Sequence, residues 1–224
     1  MYPVVEVFGP TIQGEGIYTG LRTMFIRLAG CDFRCQWCDT TYAMDKNLPH
    51  LSPKNIVKQI NLLAPYCKIV TITGGNPCIH DLDPLITILH DTSYEIHLET
   101  QGSIWQDCLK KVDMINLSPK PPSSGMQHRE LALTKFVTNA DNIQFKIVVL
   151  TLEDYKYAQE LHQQYPDIPM VLQVCQEVKR DTINNLMAKY RSLVAKISND
   201  PGFNDKVRVL PQMHILAWGQ QRGI

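Results

Sequence analysis

Six short runs of apolar and β-branched residues recur along the chain of 224 residues, and segments with helical periodicity separate them. The runs cover residues 23–28, 69–73, 95–99, 114–117, 144–149 and 170–174, and a further run at 207–210 could add an edge strand. Strands that alternate with helices favour a parallel sheet with right-handed crossovers. Because most runs are apolar at successive positions, we expect both faces of these strands to be apolar.

The intervening segments carry the start signals of helices. Ser52 is placed to cap a helix with Pro53 at its first position, and Thr151 with Asp154 can cap another. A short helix is expected over residues 83–90, and the clearest helical pattern follows Asp181. Six strand–helix units fit this length, whereas a closed eightfold barrel of about 250 residues is a tight fit. The sequence therefore predicts an α/β fold in one domain over residues 1–224, a partial (β/α)6-type open TIM barrel.

Charge and hydropathy exclude several classes of function. Lys plus Arg and Asp plus Glu both number 22, which does not give the basic surface that nucleic-acid binding requires. No apolar run is long enough to cross a bilayer, and the first residues do not resemble a secretion signal. Seven cysteines without a disulfide-like framework suit a reducing compartment. We therefore expect a cytoplasmic protein without a nucleic-acid or membrane partner.

Three closely spaced cysteines form the most distinctive motif of the chain. Cys31, Cys35 and Cys38 follow the first of the six runs directly, and the next cysteines are Cys67 and Cys78. A structural zinc site and an ordinary ferredoxin cluster both take four protein ligands. Three thiolates on one 4Fe–4S cluster would instead leave one iron open to an exogenous ligand.

From spacing alone, two plainer interpretations of these cysteines stay open. The three thiolates could bind zinc together with Asp39 or His50, or they could be simple buried thiols. The position after a strand and the aromatic Trp37 favour the iron–sulfur interpretation.

Loops that contain glycine or polar side chains follow the first four of the six runs. These loops cover residues 31–40, 74–77, 99–102 and 118–120. Because the carboxyl ends of parallel strands meet at one edge of a sheet, we expect the four loops to form one active site there.

These motifs resemble those of the radical S-adenosylmethionine enzymes and, more narrowly, of the 7-carboxy-7-deazaguanine synthases. The matching segments are residues 8–16, 25–27, 31–40, 73–77, 99–102, 118–122 and 208–224. The resemblance implies a 4Fe–4S cluster on the three cysteines, S-adenosyl-L-methionine and Mg²⁺ as cofactors. It implies a carbon–nitrogen lyase of queuosine and deazapurine biosynthesis that converts 6-carboxy-5,6,7,8-tetrahydropterin to 7-carboxy-7-deazaguanine with loss of ammonia. It also implies a homodimer and an electron donor such as flavodoxin.

The same resemblance implies roles for individual residues, none of them catalytic, since the radical arises on the cofactor. Cofactor-binding positions would be Trp37, Asp39, Gly75, Asn76, Glu99, Ser118, Pro119, Lys120, Gln173 and Gln176. Substrate-binding positions would be Ile12, Gln13, Gly14, Glu15, Arg27, Thr73, Gln101, His214 and Ile224, and Thr40 would supply a hydroxyl to Mg²⁺. The family commonly has Glu at the position of Asn76, so this amide would accept from the cofactor ammonium without charge assistance.

Plainer roles compete with several of these assignments. Arg27 could form an internal ion pair rather than bind a substrate carboxylate. Thr40 could cap a helix, and a single histidine such as His214 is more often structural. The cysteine motif also fits an activase that makes a glycyl radical on a partner protein, or a non-catalytic iron–sulfur or zinc protein.

Overall fold

The computed structural model describes residues 1–45, 47–127, 130–177, 181–219 and 221–223. The strands in these ranges are β1 (Tyr2–Ile12), β2 (Arg22–Leu28), β3 (His50–Leu51), β4 (Ile69–Gly74), β5 (Glu95–Thr100), β6 (Met114–Leu117), β7 (Ile143–Val149), β8 (Met170–Val174) and β9 (Val207–Val209). The α-helices are α1 (Pro53–Leu63), α2 (Asp83–Asp91), α3 (Glu130–Asn139), α4 (Leu152–Gln164), α5 (Ile183–Ser198) and α6 (Met213–Trp218). None of these helices combines the length and apolarity that a membrane span needs.

All nine strands belong to one open sheet, in the order β3-β1-β2-β4-β5-β6-β7-β8-β9. From β2 through β9, neighbouring strands in this order run parallel, whereas β1 is antiparallel to both β2 and β3. The predicted open α/β barrel is confirmed, as are the six strands and the edge strand near residue 207. Consecutive parallel strands place the loops after β2, β4, β5 and β6 at one rim.

The helix caps predicted from the local sequence are present at Ser52 and Thr151. Ser52 Oγ accepts a hydrogen bond from the N–H of Asn55 at 3.2 Å, and Thr151 with Asp154 forms a reciprocal capping box. The helix expected after Asp181 is α5, and it is capped by Thr182, whose side chain accepts from the N–H of Asn185 at 3.2 Å.

Four elements were not predicted: β1, β3, α3 and α6. β1 and α3 show how tertiary contacts can form an element without a clear local signal. β1 contains Pro3, Gly9 and Pro10, and its register against β2 shifts twice, so it lacks the simple pattern of a strand. β1 is stabilised by its long antiparallel pairing with β2 rather than by a regular strand pattern in its own sequence. α3 buries only Leu133 and Phe136, so its sequence shows only a weak helical periodicity of apolar residues.

The expectation that the strands are apolar on both faces was wrong. On the outer face, residues such as Ile72, Leu98 and Ile147 join the helices in one apolar core. Many alternate residues of these strands are polar and face the interior of the barrel: Thr71, His97, Glu99, Asn116, Gln144, Lys146 and Gln173. Ser118 follows directly after β6 and is also buried. A polar lining under an apolar layer indicates an interior that binds a polar ligand rather than a packed core.

Helix α1 offers a direct stability test of this core. We expect Ile60→Ala to lower the free energy of unfolding by about 2–5 kcal/mol, because Ile60 is fully buried and the substitution leaves a cavity. Leu62 is 74% exposed on the same helix, so Leu62→Ala should change stability by about 0.5 kcal/mol or less. Urea unfolding followed by circular dichroism measures both, and equal losses would contradict this packing.

Candidate active site

The three cysteines lie on a loop that leaves the carboxyl end of β2, residues 30–40, here named the cysteine loop. The N–H of Gly30 donates to the carbonyl of Ala43 at 2.8 Å, which fixes the start of the loop. Cys31 and Cys35 are partly buried, Cys38 is exposed, and all three are free thiols. The loop therefore presents three thiols at the predicted rim.

The thiols of the cysteine loop are not arranged as the ligands of a single metal ion. In the described part of the chain, no three His, Cys, Asp or Glu side chains are grouped closely enough to hold one metal ion. A zinc ion draws its ligands into one small tetrahedron, whereas an iron–sulfur cube spreads its thiolates over separate corners. His50, a possible fourth zinc ligand, lies instead on β3, paired with Pro3 of β1.

The loop after β4 packs directly on the cysteine loop, and Gly75 makes this contact possible. A Cβ atom at Gly75 would collide with the carbonyl oxygen of Gly30 and lie 2.8 Å from the Cβ of Cys31. The N–H of Asn76 donates to the same carbonyl at 2.8 Å. Loop packing therefore requires glycine at position 75, independently of any ligand.

Asn76 is buried in this contact, and its amide is already hydrogen-bonded. The nitrogen donates to Asp32 Oδ1 at 2.8 Å and to Ser103 Oγ at 3.0 Å, and the oxygen accepts from Thr100 Oγ1 at 2.9 Å. The same Asp32 oxygen accepts from Gln101 Nε2 at 2.6 Å. The carboxylate next to the amide is thus Asp32, which the sequence analysis missed.

Glu99 and Gln101 lie in different surroundings, although Glu99 is on β5 and Gln101 directly follows this strand. Gln101 Nε2 lies 3.8 Å from the Sγ of Cys31, at the rim. Glu99 lies deeper on β5 and accepts hydrogen bonds from Gln13 at 2.9 Å and from Asn116 at 3.0 Å. Glu99 therefore neighbours Gln13, one of the expected substrate positions, whereas Gln101 neighbours Cys31 at the rim.

Trp37 connects the cysteine loop to the loop after β6, which also contains Lys120. Lys120 Nζ donates to the hydroxyl of Ser118 at 2.9 Å and to its carbonyl at 3.0 Å. Burial, together with the positive charge of Lys146, lowers the pKa of Lys120. Trp37 Nε1 donates to Ser123 Oγ at 2.9 Å, so the indole is oriented by this loop.

Gln173 on β8 carries a buried oxygen that lacks a protein partner. The side chain is fully buried, and Nε2 donates to the carbonyl of Pro211 at 3.3 Å. The Oε1 atom has no hydrogen-bond partner within the described ranges. Because buried acceptors are normally satisfied, this oxygen is where a bound molecule could supply an N–H or O–H group. Pro119 is buried and Gln176 is partly buried.

Two oxygen-bearing side chains follow the last cysteine. The hydroxyl of Thr40 donates to Asp39 Oδ1 at 2.7 Å. Thr40 precedes a short helix (Thr41–Met44), but its side chain makes no capping hydrogen bond there. Hard oxygen ligands of this kind suit Mg²⁺, which usually keeps several waters beside few protein ligands.

Arg27 forms the internal ion pair that was the competing interpretation. Its Nε lies 2.7 Å from Glu6 Oε1, and its guanidinium lies over the rings of Phe8 and Tyr42 at 5.4 and 5.7 Å. The two terminal nitrogens make no hydrogen bond to described residues, which leaves donors for a ligand. Thr73 is the register partner of Arg27 on β4.

Glu15, Lys146 and Glu99 form a buried ion triad inside the barrel. Lys146 Nζ forms a very short contact with Glu15 Oε2 and lies 3.3 Å from Glu99 Oε2. Gln212 Nε2 donates to the other oxygen of Glu15 at 2.6 Å. Burial raises the pKa of the Glu15 carboxyl, but the Lys146 ammonium, with smaller contributions from His214 and Gln212, outweighs burial and lowers this pKa to about 2.

The loop over residues 12–14 packs against helix α6. Ile12 ends β1, and the backbone N–H and C=O of Gln13 are paired at 2.7 and 2.8 Å within the loop. The carbonyl of Gly14 accepts from the N–H of the first residue of α6 at 2.9 Å, and a Cβ at Gly14 would collide with the His214 ring. His214 therefore lies beside Glu15, while Ile224 falls outside the described residues.

The site also contains residues that the sequence analysis missed. A signal existed for Lys146, because a charge inside the apolar run at 144–149 is costly unless it is paired. Gln212 carries no such signal, since the packing of α6 alone brings it to the triad.

Comparisons with known proteins agree with this geometry. The model of the radical SAM superfamily matches residues 25–124. A 7-carboxy-7-deazaguanine synthase from Bacillus cereus is 40% identical over 99% of this chain and 98% of its own, and one from Bacillus subtilis is 38% identical over the same shares. The crystal structure of QueE from Escherichia coli matches with a TM-score of 0.68 and 26% identity, over 95% of this chain and 94% of that one.

The glycine contact generates a prediction about metal content. We expect Gly75→Ala to lower the iron bound per chain after anaerobic reconstitution by at least half, because the new methyl group separates the two loops. Gly202→Ala is the matched control, since its Cβ would meet only the side-chain ends of Asp200 and Gln159, both at 3.0 Å. Iron and sulfide assays measure the effect, and wild-type iron in Gly75→Ala would contradict it.

Proposed function

This chain belongs to the 7-carboxy-7-deazaguanine synthase family of radical S-adenosylmethionine enzymes, and on that premise we propose how its site performs the reaction. The reaction is the conversion of 6-carboxy-5,6,7,8-tetrahydropterin to 7-carboxy-7-deazaguanine, with a 4Fe–4S cluster and S-adenosyl-L-methionine as cofactors. We propose that the chain acts as a carbon–nitrogen lyase that releases ammonia and requires Mg²⁺.

One observation favours this proposal over the alternatives. The similarity to synthases named for this product extends over 99% of the chain, so it includes both the cysteine loop and the segments that line the interior. This full-length similarity favours the synthase over a glycyl-radical activase or a non-catalytic metal protein. A cytoplasmic location, a homodimer and an electron donor such as flavodoxin are part of the same proposal.

The residues at the rim fit the two cofactors. Cys31, Cys35 and Cys38 would hold the cluster, which together with the bound sulfonium supplies one-electron chemistry that no side chain can perform. The orphaned oxygen of Gln173 would accept a hydrogen bond from the cofactor. Asp32 would provide the negative charge that Asn76 lacks toward the cofactor ammonium. Further cofactor contacts are proposed for Trp37, Asp39, Gly75, Ser118, Pro119, Lys120, Gln176 and Gln101.

The interior residues fit the substrate, which carries a carboxylate at one end and a guanidine-like edge at the other. The free guanidinium nitrogens of Arg27 would bind the carboxylate, with Thr40 and Mg²⁺ beside it. Glu15 would accept hydrogen bonds from the guanidine-like edge. Further substrate contacts are proposed for Ile12, Gln13, Gly14, Thr73, Glu99, His214 and Ile224. The buried polar walls would orient the pterin and exclude water from the reacting carbon.

Anaerobic turnover tests the proposed reaction. We expect reconstituted protein to convert 6-carboxytetrahydropterin to 7-carboxy-7-deazaguanine, detected by mass, when reductant, S-adenosylmethionine and Mg²⁺ are present. Cys35→Ala should lack both the cluster and the product, because two thiolates cannot hold the cube. Protein that cleaves the sulfonium but leaves the pterin unchanged would refute the assigned substrate.

Magnesium binding gives a second test at one hydroxyl. We expect Thr40→Val to raise the Mg²⁺ concentration needed for half-maximal turnover by about tenfold, because one oxygen ligand is lost. Thr40→Ser keeps the hydroxyl and should stay within about twofold of the wild type. A Mg²⁺ titration of the turnover rate compares the three proteins, and identical titrations would exclude Thr40 as a ligand.

A further inference from the structure

The lysine of the buried ion triad has no role among the proposed cofactor and substrate contacts. Lys146 lies on β7, is 7% exposed, and places its ammonium between Glu15 and Glu99. Burial alone would lower the pKa of Lys146, yet the two carboxylates raise it above its ordinary value. The ammonium is therefore a permanent charge inside the barrel.

Glu99 anchors Lys146 from the opposite side to Glu15. Its Oε1 accepts from Gln13 at 2.9 Å and from Asn116 at 3.0 Å, while its Oε2 lies 3.3 Å from Lys146 Nζ. Three polar partners from three different parts of the chain hold this carboxylate. The position of the ammonium is thus fixed before any ligand binds.

The triad carries one more negative than positive charge, and an unpaired acceptor lies beside it. Two carboxylates share one ammonium, and Asn116 Oδ1, in a side chain that is 5% exposed, has no partner among the residues described. A structural ion pair would be balanced, because buried unpaired acceptors are costly. A cavity wall rich in acceptors matches a ligand edge rich in N–H donors, such as the amino and ring N–H groups of a pterin.

Resting on the proposed function, we propose that Lys146 is a positioning residue for pterin recognition. Its ammonium holds the Glu15 carboxylate so that the remaining lone pairs of this carboxylate accept hydrogen bonds from the N–H edge of the pterin. Lys146 does not touch the reacting atoms in this arrangement. It acts through Glu15, and Glu99 keeps it in place.

The charges around Glu15 determine how pH would reveal this role. Glu15 is faced by Lys146 from β7, by Glu99 from β5, by His214 from α6 and by Lys120 from the loop after β6. With its pKa lowered to about 2, Glu15 stays ionised between pH 5 and pH 7. Without Lys146, the effect of burial is no longer offset, and the pKa of Glu15 rises. The ionised form of Glu15, which accepts hydrogen bonds, is then lost as the pH falls through that raised pKa.

Equilibrium binding of oxidised 6-carboxypterin tests the proposal without turnover. Reconstituted protein is titrated with 6-carboxypterin in the presence of S-adenosylmethionine and without reductant. Pterin fluorescence gives the dissociation constant at pH 5, 6 and 7. We expect Lys146→Met to weaken binding about 10- to 100-fold, with a loss that grows toward pH 5, while the wild type stays flat. Lys146→Arg should recover most of the affinity and the flat profile.

Three further variants separate positioning from folding. Glu15→Gln in the Lys146→Met background should remove the part of the pH dependence that comes from Glu15, and Glu99 is then the one carboxyl of the triad that remains. Glu99→Gln should also weaken pterin binding, but by less than Lys146→Met does. It replaces Lys146→Met as the test variant if that protein does not fold. Lys206→Met removes a surface pair with Asp167, 2.7 Å apart, and should bind as the wild type does.

The possible outcomes are distinct. Wild-type affinity and a flat pH profile in Lys146→Met, or in Glu99→Gln should the first not fold, would overturn the positioning role. A wild-type protein that binds iron and S-adenosylmethionine but does not convert 6-carboxytetrahydropterin would instead refute the proposed function, and the inference with it.

Discussion

An ammonium group held between two carboxylates inside the barrel connects parts of the chain that the sheet leaves separate. Glu15 belongs to the loop after β1, Glu99 to β5 and Lys146 to β7. The sheet is open, so no strand pairing joins its first strands to its last ones. The triad, extended by Gln212, spans that interior instead. Because charges at this depth are tolerated only when paired and hydrogen-bonded, the shape of the interior depends on this contact.

The rim of the barrel is organised by a different kind of contact. The cysteine loop buries little apolar surface of its own and is fixed by backbone contacts with the loop after β4. Gly75 permits this approach, and the amide of Asn76 connects it to Asp32. The site thus has two layers, a rim where backbone geometry holds the thiols and an interior where paired charges hold the polar groups.

Much of the fold was readable because its signals are local. Capping at Ser52 and Thr151, the apolar strand runs and the loops that follow them were all placed correctly. β1 was missed because its hydrogen bonds come from β2 rather than from a regular local pattern. The polar inner face was misjudged because a run of mixed residues does not show which side of a strand faces helices. Arg27 was singled out as a costly charge, and the same argument applied to Lys146 would have found the triad.

The sequence by itself determined the fold class and the cysteine motif, because strand–helix alternation and thiol spacing are properties of short segments. It also named most residues that meet at the rim and in the interior. Only the tertiary structure decided their partners: Arg27 with Glu6, Asn76 with Asp32, and Glu99 with Lys146 rather than with the rim. The physical reason is that hydrogen bonds and ion pairs join side chains from distant segments, and their choice depends on distances that exist only after the sheet has formed.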